Sequence, residues 1–475
     1  MSKMIFIEPK SPNYHIYTQF SLPRLGSFIL GTLMKNRGWD VEILFEQNQP
    51  INYKSLATAD LIGISTITAT APRAYAIADK LRDLNIPVIM GGPHVTFMTD
   101  EALEHADFVI RGEGETALMQ FIDVWENQGD LSRVPNLSWK RNSVPVHNDV
   151  KSAVQDLDTI PVPDFELSSH VFKKVAGRRI IPIQTSRGCP FDCSFCSVTG
   201  MFGRKYRFRS TEHIIEELKQ YNHRQNYVFF YDDHFTADKK RAKALLQAMI
   251  DEKLKFKWST QVRVEVAKDL ELVRLMKKAG CHTLFIGLES VNPESLKAMN
   301  KSQSVEDIKQ AIQVLKKQRI HVHGMFVYGF DEDDWHTVKE TVKFARKAQL
   351  TSTQFLILTP LPGSHFFEKM RFENRIRLFD WNLYDAHHVV FEPKRLSFAE
   401  LQKAQIFSHQ KFYSLKESAK RLSQLKWLDL GLAHYARNLN RLWKKRNRTF
   451  LKVLDLLTPQ KYANIRIDYQ EKVQL

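Results

Sequence analysis

Three cysteines stand close together in a chain that has only four. Cys189, Cys193 and Cys196 have the spacing CxxxCxxC, and the fourth, Cys281, lies far along the chain. A four-iron cluster takes one thiolate for each iron, so three neighbouring cysteines leave one iron open to another ligand. The pattern predicts a 4Fe–4S cluster that does chemistry beyond electron storage.

A structural zinc ion is the alternative reading of these cysteines. Structural zinc takes four ligands, in spacings such as one CxxC paired with another. The chain has no second cysteine pair. Cys281 begins a predicted strand, a position that is more often buried than reactive, and we expect it to be structural.

Composition sets limits on the class of protein. The 475 residues are 43% hydrophobic and 26% charged, which is typical of a globular chain with two or three domains. The sequence predicts neither a secretory signal nor a membrane-spanning segment. Four cysteines without a disulfide pattern indicate a reducing compartment, so the predicted localisation is cytoplasmic.

The net charge of +16 is concentrated near the C-terminus. Between residues 411 and 448, eleven Lys and Arg face two acidic residues, and apolar residues recur at helical spacing. One interpretation is a solvated basic face on packed helices. The others are peripheral membrane contact and an anionic partner. Nucleic-acid binding is not favoured, because no signature motif for it is present.

Strands and helices alternate in residues 1–135, the first predicted domain. This alternation predicts an α/β, Rossmann-like doubly wound parallel sheet, whose ligands bind beyond the carboxyl ends of strands. The predicted strands are 4–7, 41–45, 61–65, a strand from 88 and 108–110, and the predicted helices are 28–35, 71–84 and 100–105. The loops after the strands contain Ser65 and Thr66, residues 91–94 and residues 112–115, and each is alternatively only a tight turn.

Residues 136–178 contain prolines and little periodicity, and we interpret them as a linker. From 179 to 370, six strands alternate with helices, which suggests a partial (β/α)6 barrel. The predicted strands are 180–184, 227–231, 258–262, 283–288, 321–327 and 352–358. The cysteine loop follows the first of them, at the end of the strand where barrel enzymes carry their chemistry. Residues 371–475 are predicted to be a mostly helical, basic region.

The cysteine loop, with Phe195 in its aromatic position, resembles that of the radical S-adenosylmethionine (SAM) enzymes. The resemblance implies that the open iron binds the amino and carboxylate groups of SAM. It also implies that the reduced cluster cleaves SAM to a 5′-deoxyadenosyl radical, which abstracts hydrogen from the substrate. A flavodoxin or ferredoxin is the implied type of electron donor.

Further segments resemble the SAM-contacting elements of that family. Arg263 follows the third barrel strand and is either a partner for the SAM carboxylate or part of a structural ion pair. Glu289 ends the fourth strand and is the candidate for the ribose hydroxyls. The resemblance implies SAM contacts at Phe195, Arg263, Glu289, Ser290, Gly329 and Leu361.

The N-terminal domain resembles the cobalamin-binding domains that precede this barrel. The DxHxxG segment that supplies a lower histidine ligand in some cobalamin proteins is absent. Corrin is then expected to bind without a histidine beneath it, and His94 is either a ligand or an ordinary loop residue. The implied cobalamin-binding residues are Ser65, Thr66, Gly91, Gly92, His94, Gly112, Glu113, Gly114 and Glu115. Residues 203–210 resemble the arginine-rich segment of this branch, with a solvated basic loop as the alternative.

Two segments are candidates for the substrate pocket. Asp232 and Asp233 end the second barrel strand, where a plain helix-capping turn is the alternative. Tyr384 and His387 lie in residues 380–388, which resemble the post-barrel segment of the anaerobic magnesium-protoporphyrin cyclase and hopanoid-type members. Ordinary helix packing is the alternative for the second segment.

Together these resemblances imply a cobalamin-dependent radical SAM enzyme that C-methylates a small molecule or lipid. The second reading is a radical oxidative cyclisation or rearrangement without methyl transfer. The third is a non-catalytic corrinoid, membrane-binding or RNA-binding protein. Sulfur insertion and methylthiolation are disfavoured, because Cys281 alone does not hold an auxiliary cluster. The sequence leaves the identity of the substrate open.

Overall fold

A computed structural model describes residues 1–19, 22–150, 153–169, 171–172, 174–175 and 177–456. The chain divides into two compact units. The first comprises Met1–Asn13, Ser21–Pro190 and Ser197–Tyr221, and the second comprises Tyr14–Phe20, Phe191–Cys196 and Asn222–Leu475. The first unit thus includes residues 136–190 and 197–221, which the predicted domains placed in the linker and at the start of the barrel.

The described strands are numbered in chain order. They are β1 (Lys3–Glu8), β2 (Asp40–Phe45), β3 (Leu61–Ser65), β4 (Val88–Gly91), β5 (Phe108–Ile110), β6 (Leu137–Arg141), β7 (Val144–His147), β8 (Arg179–Ile183), β9 (Ser186–Arg187), β10 (Arg207–Phe208), β11 (Asn226–Phe230), β12 (Trp258–Val262), β13 (Cys281–Glu289), β14 (His321–Tyr328) and β15 (Ser352–Ile357).

The α-helices are numbered in the same way. They are α1 (Ile16–Gln19), α2 (Leu25–Asn36), α3 (Tyr53–Leu56), α4 (Ala71–Arg82), α5 (Pro93–Phe97), α6 (Thr99–His105), α7 (Glu115–Glu126), α8 (Val198–Phe202), α9 (Thr211–Lys219), α10 (Lys239–Asp251), α11 (Leu270–Lys278), α12 (Pro293–Ala298), α13 (Val305–Lys317), α14 (Trp335–Lys347), α15 (His365–Phe372), α16 (Phe398–Phe412), α17 (Leu415–Ser423), α18 (Trp427–Arg446) and α19 (Arg448–Leu456).

The first unit is built on a seven-stranded sheet of order β2-β1-β3-β4-β5-β6-β7. Strands β1 to β5 are parallel, as predicted. Ile5 and Ile7 of β1 join a buried cluster with residues of α4. Met4 and Phe6 face the other way and join residues of α2 and α7. This alternation of apolar side chains gives the sheet two buried faces, which is the doubly wound arrangement.

Three features of the first unit differ from the sequence-based expectations. Residues 137–147 were interpreted as the start of a linker, but β6 and β7 form an antiparallel hairpin that extends the sheet from β5. Residues 91–94 were expected to be a loop, but helix α5 begins at Pro93. Helix α7, with its buried apolar face, was not predicted. The hairpin strands and α5 are short and carry little periodic signal, so packing decides them. Helix α7 is twelve residues long, and its buried apolar residues recur at helical spacing, so this helix was present in the sequence pattern and was missed.

Strands β11 to β15 form consecutive parallel pairs in the second unit. Along the chain, six strands from β8 to β15 alternate with helices as the sequence predicted, apart from the two-residue strands β9 and β10. Side-chain caps define several helix starts: Ser304 and Asp307 form a capping box at α13, and Asp238 caps α10. The α/β fold with a partial barrel is confirmed.

The C-terminal region is helical, as predicted. Helices α16 to α19 extend from Phe398 to Leu456. In the part of the chain that the structure describes, no helix is both long and apolar enough to cross a membrane. The predicted basic region also includes residues 457–475, which lie outside the described residues.

Candidate active site

The cysteine loop begins after β9 with a backbone turn that only glycine fits. Gly188 has φ of +86°, and a Cβ atom there would lie 2.4 Å from the Lys205 carbonyl oxygen. The Cys189 N–H donates to the Gly203 carbonyl at 3.4 Å. Glycine at 188 therefore lets the chain turn tightly against residues 203–205 and fixes the start of the loop.

All three loop thiols are partly exposed, and none forms a disulfide. The Arg263 guanidinium lies 3.9 Å from the Cys193 sulfur. A nearby positive charge favours the thiolate form, which is the form that binds iron. The accessible thiols and this charge fit a 4Fe–4S cluster. Cys281, in contrast, is buried, and burial raises the pKa of its thiol, as expected for a structural cysteine.

Arg263 is itself held in place by two neighbours. Its guanidinium lies 3.9 Å from the centroid of the Phe191 ring, and its Nη2 donates to Glu265 at 3.0 Å. The ion-pair interpretation of Arg263 is therefore correct, and it does not exclude a SAM contact. Burial, followed by the charge of Arg263, lowers the pKa of His234 to about 4, so this histidine is neutral at pH 7.

The candidate carboxylates Asp232 and Asp233 follow β11. The Asp232 side chain is buried. The Asp233 side chain is exposed at its surface. Desolvation by the surrounding protein, followed by the charge of Asp232, nevertheless raises the pKa of its carboxyl group to about 7. A carboxyl group that titrates near pH 7 is able to hold or release a proton during turnover.

Glu289 sits at an irregular end of β13. Its φ is +59°, and the register between β13 and β14 shifts between Gly287 and Glu289. Lys301, itself buried, donates to the Glu289 carboxylate and to the Gly287 carbonyl. A Cβ atom at Gly287 would lie 2.3 Å from Glu289 Oε1. The orientation of the Glu289 carboxylate is therefore set by the bulge, by the absence of a side chain at Gly287 and by the hydrogen bond from Lys301.

The predicted SAM-contacting segment after β14 is organised by a buried aspartate. Gly329 has φ of +122°, and Asp333 accepts the N–H groups of Gly329 and Phe330 at 3.0 and 3.1 Å. The Phe195 ring makes an edge contact with Phe330, with 6.2 Å between centroids. Burial raises the pKa of Asp333 to about 6.

The remaining two predicted SAM residues lie in turns of the second unit. Ser290 is buried, and its hydroxyl accepts the Asn292 N–H at 3.1 Å. The Leu361 carbonyl accepts the Ser364 hydroxyl at 2.7 Å, and the Ser364 side chain in turn caps α15. Each turn contains a hydrogen bond between a side chain and its own backbone. SAM contacts at all six predicted positions stay a prediction.

In the first unit, the strand order reverses between β1 and β3, which is where doubly wound sheets bind ligands. Glu8 ends β1 and Ser65 ends β3. Glu8 is buried, and this burial raises the pKa of its carboxyl group. At Gly91, a Cβ atom would have only one neighbour within 4 Å, at 3.9 Å. This open edge of the sheet fits a bulky ligand such as corrin.

At the same edge of the sheet, the backbones of Thr66 and Gly92 approach each other closely. The Thr66 N–H and hydroxyl both donate to the Gly91 carbonyl, at 2.9 and 3.1 Å. Gly92 has φ of +102°, and a Cβ atom there would lie 2.4 Å from the Thr66 carbonyl oxygen. The two loops therefore support each other through their backbones.

The acidic residues of the loop 112–115 have an arrangement that the sequence did not reveal. Glu113 accepts hydrogen bonds from Arg187 at 3.0 Å and from Arg207 at 3.1 Å, and Arg187 also donates to Glu115 at 2.6 Å. All four side chains are almost fully buried. Both carboxylates therefore pair with arginines of the first unit, and cobalamin binding at Glu113 and Glu115 stays a prediction. Binding by the loop stays a prediction for its backbone, including Gly112 and Gly114.

The same contacts decide the role of the arginine-rich segment. Arg207 and Arg209 are buried, and Arg209 forms an ion pair with Glu217 of α9. These two arginines therefore do not belong to a solvated basic loop. They join the segment that follows the cluster cysteines to the body of the first unit.

His94 lies inside helix α5 rather than on a loop, and its ring is buried. Its Nε2 lies 3.4 Å from the Glu101 carboxylate. The centroid of its ring lies 6.1 Å from that of the Tyr75 ring. These contacts support the reading of His94 as an ordinary structural residue over that of a corrin ligand.

Tyr384 and His387 are both buried in the second unit. The Tyr384 hydroxyl donates to the Leu378 carbonyl at 2.9 Å, and the His387 ring stacks on that of His15 at 4.9 Å. These internal contacts favour the packing interpretation, and a place in the substrate pocket stays a prediction.

A polar cluster lies next to His387. His388 Nδ1 lies 2.9 Å from Asp385 Oδ2, and its Nε2 lies 2.9 Å from the Asn447 side-chain oxygen. Burial alone would lower the pKa of His388, but the Asp385 carboxylate holds it above its usual value. Burial, followed by the neighbouring His387, lowers the pKa of His15 to about 3. Asp385 lies within the candidate segment 380–388, whereas His15 was not predicted at any site.

Comparison with protein families supports the arrangement. The model of the radical SAM superfamily matches residues 183–345, and that of the B12 binding domain matches residues 16–122. The first match covers the cysteine loop and the barrel strands β11 to β14, and the second covers β2 to β5 of the N-terminal sheet.

Two curated relatives match most of the chain. The chain is 30% identical over 404 residues to an uncharacterized methyltransferase of Pyrococcus horikoshii, covering 82% of this chain and 88% of the relative. It is 31% identical over 402 residues to the bacteriochlorophyllide d C-12(1)-methyltransferase of Chlorobaculum tepidum, covering 83% of each.

Among solved structures, the cobalamin-dependent SAM radical enzyme OxsB, with aqua-cobalamin and SAM bound, has the same fold. The TM-score is 0.70 at 16% identity, covering 93% of this chain and 72% of OxsB. The cofactors of the chain are a 4Fe–4S cluster, SAM and cobalamin. The cysteine loop, the partial barrel and the N-terminal sheet thus assign the chain to the radical SAM superfamily, among its members that carry a B12-binding domain.

Proposed function

We propose that this enzyme transfers a methyl group to a carbon atom of a small-molecule or lipid substrate. The observation that carries the proposal is the extent of the match to methyltransferases, at least 30% identity over more than four fifths of the chain. The matches to the radical SAM and B12-binding families support the proposal, because methyl transfer of this kind uses both cofactors.

The residues of the second unit have distinct proposed tasks. Cys189, Cys193 and Cys196 of the cysteine loop hold the cluster. Arg263 places a positive charge 3.9 Å from the Cys193 sulfur and favours its thiolate form. Glu289, oriented by Lys301, accepts the ribose hydroxyls of SAM.

Further residues shape the SAM pocket. The backbone at Gly329 and at Leu361, the Phe195 ring and Ser290 form its walls. Asp232 and Asp233 face the substrate, and Asp233 is able to hold or release a proton near pH 7. When bound, the reduced cluster with SAM supplies a hydrogen-abstracting radical, and cobalamin supplies the methyl group.

The first unit contributes the surface for corrin. Ser65, Thr66, Gly91 and Gly92 line the point where the strand order reverses. The Arg187–Glu113 contact joins the strand that enters the cysteine loop to the loop that follows β5. Within this unit, the start of the cysteine loop and the loop 112–115 are therefore held by one set of ion pairs.

The experiment is a product analysis with SAM labelled in its methyl group. Reconstituted protein is incubated with cobalamin, a reductant, labelled SAM and candidate substrates. We expect one labelled methyl group on the product carbon, with 5′-deoxyadenosine and S-adenosylhomocysteine in equal amounts, because one SAM is cleaved and a second restores the methyl donor. A product without the label, formed together with 5′-deoxyadenosine, would identify cyclisation or rearrangement and refute the proposal.

Two partners belong to the proposal. An electron donor such as flavodoxin or ferredoxin is needed to reduce the cluster, and its identity is tested by replacing the chemical reductant with each protein. Peripheral membrane contact through the basic C-terminal helices would suit a lipid substrate.

A further inference from the structure

Helix α17 exposes its apolar residues and buries its polar ones. Leu415, Ala419 and Leu422 recur at helical spacing and share one face, and all three are exposed, Leu415 to 75% and Leu422 to 47%. The residues buried by this helix are Ser418 and Arg421. A surface helix usually presents the opposite pattern, with its apolar stripe toward the core.

The exposed apolar residues continue through the turn into α18. Leu425 is 70% exposed, Trp427 65% and Leu428 42%. We call the set Leu415, Ala419, Leu422, Leu425, Trp427 and Leu428 the apolar tip. Soluble proteins scatter single exposed apolar residues, whereas a group of this size marks an interaction surface.

The charges beside the apolar tip are positive. Lys416 and Lys420 are exposed on α17, next in sequence to the apolar face. Glu417, the single acidic residue of α17, forms an ion pair with Arg346 and is not available to balance them. Asp429 is largely buried, and this burial raises the pKa of its carboxyl group. The tip therefore presents apolar side chains within a basic rim.

We propose that the apolar tip inserts into the interfacial layer of a lipid bilayer with anionic headgroups. A bilayer offers hydrocarbon for the leucines, the headgroup boundary that tryptophan prefers, and negative charge for Lys416 and Lys420. A second copy of this chain would place the same lysines against each other in a symmetric contact, so charge disfavours a dimer here. The helix lies on the membrane and does not cross it.

Vesicle co-sedimentation of the reconstituted full chain tests the proposal. Vesicles of phosphatidylcholine alone are compared with vesicles that also contain phosphatidylglycerol. We expect binding to the mixed vesicles and little to the neutral ones. The double variant Leu425→Asn with Trp427→Ser should lower the partition coefficient roughly tenfold or more. Lys416→Gln with Lys420→Gln should lower it roughly fivefold per lysine.

Matched controls separate the tip from general surface properties. Phe372→Ser removes an aromatic residue that is 94% exposed outside the tip, and Lys309→Gln with Lys343→Gln removes two exposed lysines elsewhere. These controls should bind like the parent, and thermal melts should show that every variant is folded.

Several outcomes would overturn the proposal. The first is that the parent protein stays in the supernatant with both kinds of vesicle. The second is that the tip variants and the control variants lose binding equally. The third is that light scattering detects a dimer without lipid and that this dimer depends on Trp427. Loss of electron transfer from a donor protein in the tip variants, with vesicle binding unchanged, would assign the tip to that donor instead. The vesicle assay does not depend on catalysis, so it is independent of the methyl-transfer proposal.

Discussion

Arg187 donates to Glu113 at 3.0 Å in the buried interior of the first unit. Arg187 lies two residues before Cys189, and Glu113 lies in the loop after the fifth strand of the N-terminal sheet. Arg207 contributes a second guanidinium to the same carboxylate. The start of the cluster loop is thereby fixed by a residue of the loop 112–115.

Replacement of Glu113 by Gln should destabilise the protein strongly. It removes the negative charge between two buried guanidinium groups, and loss of one partner of a buried ion pair costs about 3–5 kcal/mol. The measurement is the free energy of unfolding by chemical denaturation. Glu306→Gln is the control, because the Glu306 carboxylate is 79% exposed in its pair with Lys309. This control should lower the free energy of unfolding by less than about 1 kcal/mol. Equal effects of the two variants would contradict the role of the buried pair.

Cys193→Ala should abolish the visible absorption of the reconstituted cluster, because it removes one of three thiolate ligands. Cys281→Ala is the matched control: its thiol is buried, its pKa is raised and it lies outside the loop. The control should keep the absorption and the iron content of the parent protein. A normal cluster spectrum in Cys193→Ala would disprove the ligand assignment.

Glu289→Gln should weaken SAM binding while leaving the cluster spectrum intact. A hydrogen bond to a charged group contributes about 1.5–3 kcal/mol, so the dissociation constant for SAM should rise roughly 10- to 100-fold. Equilibrium binding of SAM to the reconstituted protein measures it. Glu294→Gln, at an exposed carboxylate, should bind SAM normally, and unchanged affinity in Glu289→Gln would remove Glu289 from the SAM site.

Asp333 should make the protein less stable as the pH rises from about 4 to about 6. Burial raises the pKa of this carboxyl group from 3.8 to about 6, so within that window the folded state binds more protons than the unfolded state. The loss amounts to ~3 kcal/mol. Asp333→Asn does not ionise and should lack this component.

Melting temperatures of parent and Asp333→Asn protein at about pH 4 and about pH 7 test this pH dependence. Relative to the parent protein, the variant should have a higher melting temperature at about pH 7 than at about pH 4. The amide is able to accept the N–H groups of Gly329 and Phe330 as the carboxylate does, so the loop is retained. If the melting temperatures of the two proteins differed by the same amount at both pH values, Asp333 would not be the titrating group.

Most elements with a regular apolar pattern were predicted from the sequence. The exception is helix Glu115–Glu126, whose apolar residues are periodic but were overlooked. The strand Trp258–Val262 coincides with its prediction, and the five other barrel strands differ from theirs by at most two residues at either end. Apolar side chains at regular spacing report on local burial, which suffices for such elements. The hairpin Leu137–His147 and the helix Pro93–Phe97 depend on contacts with the sheet, so the local pattern did not reveal them.

For the site, the sequence determined the ligand types and left the partners undecided. The spacing of Cys189, Cys193 and Cys196 indicated the cluster because three thiolates within eight residues have few other uses. The pairing of Glu113 with Arg187 joins residues 74 positions apart, and that of Glu289 with Lys301 depends on a bulge. Sequence spacing does not record which charges meet in a folded interior. The tertiary structure alone decided that Glu113 anchors the cluster loop and that Glu289 is held by a buried lysine.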